Sequence, residues 1–286
     1  MQNEHLTYGE IIRKSTEFLL NKGVISAKCD SEWIVSHLVK TSRMELYLNF
    51  DDLVPEEKIS EIRNMIVQRG RRIPLQHILE SVPFCDLRLK CDRRALIPRP
   101  ETERLVEIII ESVGEAFNGN ILDLGSGTGA IVLALCNQLK EARGLGMDKS
   151  SEAIDLSREN LCLLDLSARV SFQKFDWMLE EYKQEKVDLL ISNPPYLSLE
   201  EWNTAEPEVN KHDPKDALVS PEGGLAHLRK LLDLSTSALK KDGQIFIEVG
   251  IGQAEKVMEM MKDIFYDIQN RKDFCGVRRY VFARFC

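Results

Sequence analysis

Apolar residues recur along this chain in two different rhythms. Over residues 1–75, Ile11, Ile12, Phe18 and Leu19 fall at helical spacing, and so do Trp33, Ile34, Leu38 and, past a turn, Leu46. Asp30-Ser31-Glu32 and Pro55-Glu56-Glu57 read as helix starts, a cap or proline followed by acids in the first turn. The segment predicts a small helical bundle. Across 76–97 the texture changes: Pro74, Pro83 and Pro98 punctuate the chain, and Phe84, Leu87 and Leu89 alternate with polar positions. That alternation predicts a β-hairpin linking two domains.

Over 98–286 the rhythm becomes strand, helix, strand, helix. Strands are predicted over 121–124, 144–148, 170–173, 187–192, 244–249, 267–270 and 280–285. Helices are predicted over 130–140, 153–164, 224–239 and 253–263. The result is an α/β class: a Rossmann-like, mostly parallel, seven-stranded sheet with helices on both faces.

Composition sharpens the division. A length of 286 residues suits one large and one small domain. The net charge is −8, yet residues 1–75 are balanced, so the remainder carries all of it. Two domains with different surfaces follow. A chain this acidic is poorly built to wrap a nucleic-acid backbone, which needs clustered Lys and Arg. Arg63, Arg69, Arg71 and Arg72 form the one basic cluster; a solvated helix face is its plain reading, with docking of a partner second. Seven cysteines without C-x-x-C spacing suit neither a disulfide framework nor a zinc ribbon. Met1-Gln2-Asn3-Glu4-His5 lacks the basic and apolar regions of a signal peptide, and no apolar run approaches the roughly 18 residues of a membrane span. The expectation is a cytoplasmic protein with reduced thiols. His5, His37, His77, His212 and His227 show no ligand spacing, so solvated or capping roles are expected for each, and no metal.

Three constellations carry chemistry. Asp123-Leu124-Gly125-Ser126-Gly127-Thr128-Gly129-Ala130 follows an apolar strand and opens a helix. Its glycines permit a tight turn and let a ligand approach the backbone at a helix N-terminus. The loop satisfies both the dinucleotide fingerprint and the D-x-G-x-G-x-G loop of S-adenosylmethionine-dependent methyltransferases, and does not choose between them. Asp148 closes the next strand, where a carboxylate can accept hydrogen bonds from ribose hydroxyls. It could instead cap the following helix, a task Ser150 could also perform. Phe175-Asp176-Trp177 places an acid beside a ring, suited to an adenine amino group and face, although Trp177 could equally be core.

Asn193-Pro194-Pro195-Tyr196 follows the apolar strand 187–192 directly. Carboxyl ends of strands are where open α/β sheets bind ligands. Two prolines remove two backbone donors and fix φ, leaving a rigid loop with free carbonyls. The Asn193 amide oxygen and the Pro194 carbonyl can hold the two protons of a planar –NH2 group, with Tyr196 as a flat wall. A hydride-transferring dehydrogenase has no use for such a site.

Together these motifs resemble class I methyltransferases acting on planar nitrogens. Leu96-Ile97-Pro98-Arg99-Pro100-Glu101-Thr102-Glu103, Pro74-Leu75-Gln76-His77-Ile78-Leu79, Glu248-Val249-Gly250-x-x-Gln253 and Asp273-x-x-Gly276-x-x-Arg279 extend the likeness over nearly the whole chain. They resemble the PrmC/HemK family, the bacterial release factor glutamine methyltransferases. The chain departs from the family at Glu80, Cys85 and Asp86, where glycines are frequent in the hairpin, and at Asp213-Pro214, where Glu-Pro is usual.

The resemblance implies methyl transfer from S-adenosylmethionine, leaving S-adenosylhomocysteine. The acceptor is the side-chain amide nitrogen of the glutamine in the Gly-Gly-Gln motif of class-1 peptide chain release factors. It implies cofactor contacts at Gly125, Ser126, Gly127, Thr128, Gly129, Asp148, Asp176, Trp177 and Asn193. Asn193, Pro194 and Tyr196 would be catalytic. Substrate contacts would come from Asn193, Pro194, Pro195, Tyr196, Phe84, Arg99, Pro100 and Glu101. Residues 1–75 would recognise the release factor, 76–97 would be the hairpin linker and 98–286 the methyltransferase domain. A cytoplasmic monomer is expected, touching neither membrane nor nucleic acid. The rivals are a DNA adenine-N6 methyltransferase, disfavoured because base flipping needs a basic duplex-holding surface, a glutamine methyltransferase acting on a ribosomal protein, and a non-enzymatic docking module.

Overall fold

The computed structural model describes residues 6–286; the Met1–His5 segment read above for a leader lies outside them. The chain forms two compact units, one running to Glu80 and the other spanning Ser81–Cys286.

The first unit is helical: α1 (Tyr8–Asn21), α2 (Ala27–Val39), α3 (Arg43–Leu48), α4 (Glu56–Gly70) and α5 (Leu75–Leu79). Helix α1 starts at a capping box, in which Thr7 Oγ1 accepts from the Glu10 N–H at 3.2 Å and Glu10 Oε2 accepts from the Thr7 N–H at 3.0 Å. Ile11, Ile12, Leu19, Ile34, Leu46, Ile62 and Ile66 make the core. Trp33 differs from expectation: it points outward, under the Arg43 guanidinium. So does Arg69, which belongs to no solvated face. It is buried, and its Nε donates to Asp30 Oδ2 at 2.6 Å, while Ser26 Oγ donates to the same oxygen at 2.9 Å.

The second unit opens with the hairpin β1 (Ser81–Phe84) and β2 (Leu87–Lys90), shorter than the 76–97 expected, since 75–79 is helical. Glu80 and Cys85 have φ of 52° and 49°, the left-handed region where the family's glycines would sit without strain. Asn160 ties the hairpin down: its Oδ1 accepts from the Lys90 N–H at 2.7 Å, and its Nδ2 donates to the carbonyls of Lys90 and Thr128.

The α/β sheet then builds up. Its strands are β3 (Asn120–Leu124), β4 (Arg143–Asp148), β5 (Val170–Lys174), β6 (Val187–Ser192), β7 (Leu239–Glu248), β8 (Phe265–Lys272) and β9 (Arg278–Phe285). Their order is β5-β4-β3-β6-β7-β9-β8, all parallel except β9, which runs antiparallel to both its neighbours. Alternation sends Ile121, Leu189, Ile191 and Phe246 to one face. There they pack with α6 (Pro100–Val113), α7 (Ala130–Gln138) and α8 (Ser151–Leu163). Leu122, Leu190, Ile245 and Ile247 face the other side. Between β6 and β7 come the short helices α9 (Leu199–Thr204) and α10 (Pro207–His212), a distorted turn α11 (Pro221–Gly224) and α12 (Ala226–Ala238). Helices α12 and α13 (Ala254–Met261) cover the second face. Helix α6 was not foreseen. Proline at its first position and Glu101 and Glu103 in its first turn mark a good start, but the proline-rich approach reads as a linker.

The buried pair generates the first prediction. Arg69→Ala leaves the Asp30 carboxylate buried without its cation, which should cost about 3–5 kcal/mol. Urea unfolding should show a lower midpoint for the first unit; an unchanged midpoint refutes the burial of this pair.

Candidate functional site

Strands β3 and β6 are neighbours at the centre of the sheet, and the chain leaves them toward opposite edges. The crevice at such a switch point is the natural ligand site of an open α/β sheet. Its two rims are stitched: Ser192 Oγ, at the end of β6, donates to the Leu124 carbonyl at 2.6 Å.

The β3 rim is the glycine loop. Gly125 adopts φ +77°, and a Cβ there would stand 3.1 Å from the Trp177 ring, so both conformation and space call for glycine. The N–H groups of Gly125 and Ser126 donate to the Met147 carbonyl at 2.8 and 3.0 Å. Asp148 accepts from the Gly127 N–H at Oδ2 and from the Ser150 N–H at Oδ1, each at 2.9 Å. Ser150 caps α8. The carboxylate therefore holds the loop and retains lone pairs toward the cleft. Burial pushes its pKa up, against the pull of these two N–H donors. Asp123 lies deeper, its Oδ2 3.3 Å from the Val132 N–H, and burial lifts it to about 7.

A cleft of about 710 Å3 opens here, within the usual range for small-molecule sites. Gly125, Gly127, Asp148, Asp176, Trp177, Asn193 and Pro195 line it, so the structure brings both motifs to one cavity. Trp177 is wall and core at once: it is buried among apolar neighbours and meets His227 edge-on. His227 corrects the expectation of a solvated histidine. It is buried, Nδ1 lies 2.8 Å from Ser220 Oγ, and burial lowers its pKa. Position within a helical run concealed it.

On the β6 rim, Asn193 Nδ2 donates to Thr102 Oγ1 at 3.2 Å, and Thr102 Oγ1 donates to Glu248 Oε2 at 2.8 Å. Glu248, at the end of β7, is buried, which pushes its pKa up to about 7. Gln253 braces the next residues: its Nε2 donates to the Tyr196 carbonyl and its Oε1 accepts from the Gly250 N–H, both at 2.9 Å. Tyr196 is partly buried and is not among the residues lining the cleft, and burial lifts its phenol to about 12.

Other expected contacts stand elsewhere. Phe84 is 1% exposed and packs in the core beneath the hairpin, because alternation turns it inward with Val82; it forms no wall of the cleft. Ser126 and Thr128 are buried, and Gly129 is the N-cap of α7, so only part of the loop faces the cavity. Pro194 is buried and does not line the cavity, whereas Pro195 does. Arg99 Nη2 donates to Asp213 Oδ2 at 2.6 Å; Pro100 opens α6; and the Glu101 carbonyl accepts from the Tyr280 hydroxyl at 2.7 Å. None of these three lines the cavity. Thr102 and Glu248 were not read as site residues, although an acid ending the apolar run 245–247 was the available signal.

The chain is similar to known proteins over nearly its whole length. Residues 10–79 match the family model of the PrmC N-terminal domain, and residues 102–208 that of the methyltransferase small domain. A release factor glutamine methyltransferase of Fusobacterium nucleatum is 36% identical over 96% of this chain and 78% of its own. That of Geobacter sulfurreducens is 33% identical over 97% of this chain and 96% of its own. A solved methyltransferase from Pyrococcus furiosus shares the fold, with a TM-score of 0.52 at 14% identity over 79% of this chain and 98% of that one. With a glycine-loop cleft, an N-P-P-Y rim and relatives matched almost end to end, this chain belongs to the release factor glutamine methyltransferase family.

Proposed function

We propose that the chain methylates the side-chain amide nitrogen of the glutamine in the Gly-Gly-Gln motif of class-1 release factors. The observation that carries this is the convergence of Asn193 and Pro195 with Gly125, Gly127 and Asp148 on one cleft. The cleft fits S-adenosylmethionine: Asp148 and Asp176 offer carboxylate acceptors, Trp177 an aromatic wall, and the glycine loop a bare backbone. When bound, S-adenosylmethionine supplies the electrophilic methyl group.

A carboxamide nitrogen is a poor nucleophile because its lone pair is delocalised into the carbonyl. Orientation and electrostatics must therefore do most of the work, and good alignment can supply roughly 7–11 kcal/mol. Asn193 Oδ1 and the Pro194 carbonyl would each accept one amide proton, turning the nitrogen lone pair toward the methyl and favouring the positive charge that develops. Tyr196 would bound the glutamine side chain. Arg99, held against Asp213, and the neighbouring Pro100 and Glu101 would steady the approach of the peptide. Residues 1–75 would recognise the release factor. They carry no catalytic motif and expose Met44 and Leu48 at 78% and 80%. The reading takes the chain as a monomer working in the cytoplasm without nucleic acid; the net charge of −8 supports the last point. Among the described residues no helix is long and apolar enough to cross a membrane.

Incubating enzyme, S-adenosylmethionine and a release factor, then sequencing the Gly-Gly-Gln peptide by mass spectrometry, tests the reading; a peptide without added mass at glutamine rejects it. Two variants should separate binding from rate. Asp148→Ala should weaken cofactor binding by about 1.5–3 kcal/mol, roughly ten- to a hundred-fold, as a charge-assisted acceptor is lost. Calorimetry measures this, and an unchanged dissociation constant removes Asp148 from the site. Asn193→Ala should instead slow single-turnover methylation on the order of a hundred-fold through misorientation, with cofactor affinity nearly kept; a normal rate sinks its assignment. Finally, Met44→Asp with Leu48→Asp should raise KM for intact release factor and leave cofactor affinity alone. An unaltered KM would deny this face of the first unit a part in recognition.

A further inference from the structure

The hydroxyl of Thr102 has a single proton, and an ionised carboxylate has none to give. Thr102 Oγ1 gives its proton to Glu248 Oε2, so toward Asn193 it can only accept, and the atom facing it must be the Nδ2 amino group. Asn193 also favours the charged form of Glu248. The amino group of Asn193 is thus engaged from behind, and Oδ1 is the end left for the cleft that Asn193 lines.

We propose that Thr102 and Glu248 are positioning residues that hold the Asn193 amide oxygen-first toward the substrate, so that the site selects an –NH2 group and rejects a carbonyl oxygen. The inference rests on the nitrogen-methylation reading and specifies what sets its selectivity. A proton on Glu248 reverses the chain: Glu248 donates to Thr102, Thr102 donates to Asn193 Oδ1, and the Asn193 –NH2 turns toward the substrate –NH2. Two donors then face each other and the alignment is lost. Burial brings Glu248 to about 7, so both states are within reach near neutrality. The groups facing it are Thr102 and Glu101 from α6, Asn193 and Tyr196 from the loop after β6, and Arg279 and Tyr280 from β9. Arg279 favours its charged form and Glu101 opposes it, while burial raises both phenols and keeps them neutral. Methylation should accelerate as pH rises through the titration of Glu248.

Three full-length variants test this. Thr102→Val keeps the shape without the hydroxyl, Thr102→Ser restores the hydroxyl, and Glu248→Gln keeps an acceptor without a charge. Single-turnover methylation should fall roughly ten- to a hundred-fold in Thr102→Val, recover in Thr102→Ser, and lose its neutral pH limb in Glu248→Gln. Cofactor affinity by calorimetry should stay at the wild-type value in all three. In the free enzyme, the 15N-labelled Asn193 side-chain amide, assigned by its absence in Asn193→Ala, should exchange slowly with water in wild type and Thr102→Ser and quickly in Thr102→Val. A wild-type rate or an unchanged Asn193 signal in Thr102→Val overturns the clamp. A wild-type pH limb in Glu248→Gln overturns its charge dependence. If the wild-type enzyme leaves glutamine unmethylated, the functional reading falls, while the exchange measurement still decides the clamp. Should Thr102→Val melt early, Thr102→Cys, which puts a weakly hydrogen-bonding thiol in place of the hydroxyl, carries the same comparison against Thr102→Ser.

Discussion

Everything at the site depends on the parallel pairing of β3 with β6, closed at its end by the hydrogen bond from Ser192 to the Leu124 carbonyl. The residues after both strands must leave the sheet at the same level. One exit is the glycine loop and the other is Asn193-Pro194-Pro195-Tyr196. A shift of one residue in this pairing would exchange the two faces of β6 and carry Asn193 away from the cleft. The sheet's apolar faces, Ile121 with Leu189 on one side and Leu122 with Leu190 on the other, are what forbid that shift.

On this frame the chain places three carboxylates at strand ends, Asp123, Asp148 and Glu248, each pushed upward by burial. Such groups do not favour folding as the pH rises. Between their unfolded and folded pKa values the native state holds protons that the unfolded chain has released, so stability falls across that window. They are kept where backbone N–H groups or hydroxyls meet them: Gly127 and Ser150 for Asp148, Val132 for Asp123, Thr102 for Glu248. Asp148 shapes the loop it serves, which ties the shape of the cleft to the acceptor it offers.

The loop between β6 and β7 shows how a local departure from the family pattern is absorbed. Asp213 stands where glutamate is usual, and it still reaches Arg99 at 2.6 Å. Burial raises it to about 6 and the guanidinium holds it down. Leu197 bridges Val219, closing the loop on itself, and Pro214, Asp216 and Ala217 complete the cleft wall.

Much of this was open to reading in the sequence. Period-two and helical rhythms sufficed for the α/β class and the seven strands, because apolar burial on two faces imposes them locally. The glycine loop and N-P-P-Y were visible because backbone geometry there demands glycine and proline, whatever surrounds them. What the sequence could not show are properties of pairs distant in the chain. Phe84 faced the core instead of the cleft, Arg69 was buried against Asp30, and His227 was drawn into the cleft beside Trp177. The Thr102–Glu248 support of Asn193 joins residues 91 and 146 positions apart, and no local pattern encodes such a contact. The residue types that can do the chemistry are written in the sequence; which end of the Asn193 amide they present is decided by tertiary structure, because a hydrogen-bond chain has a direction only when its members meet.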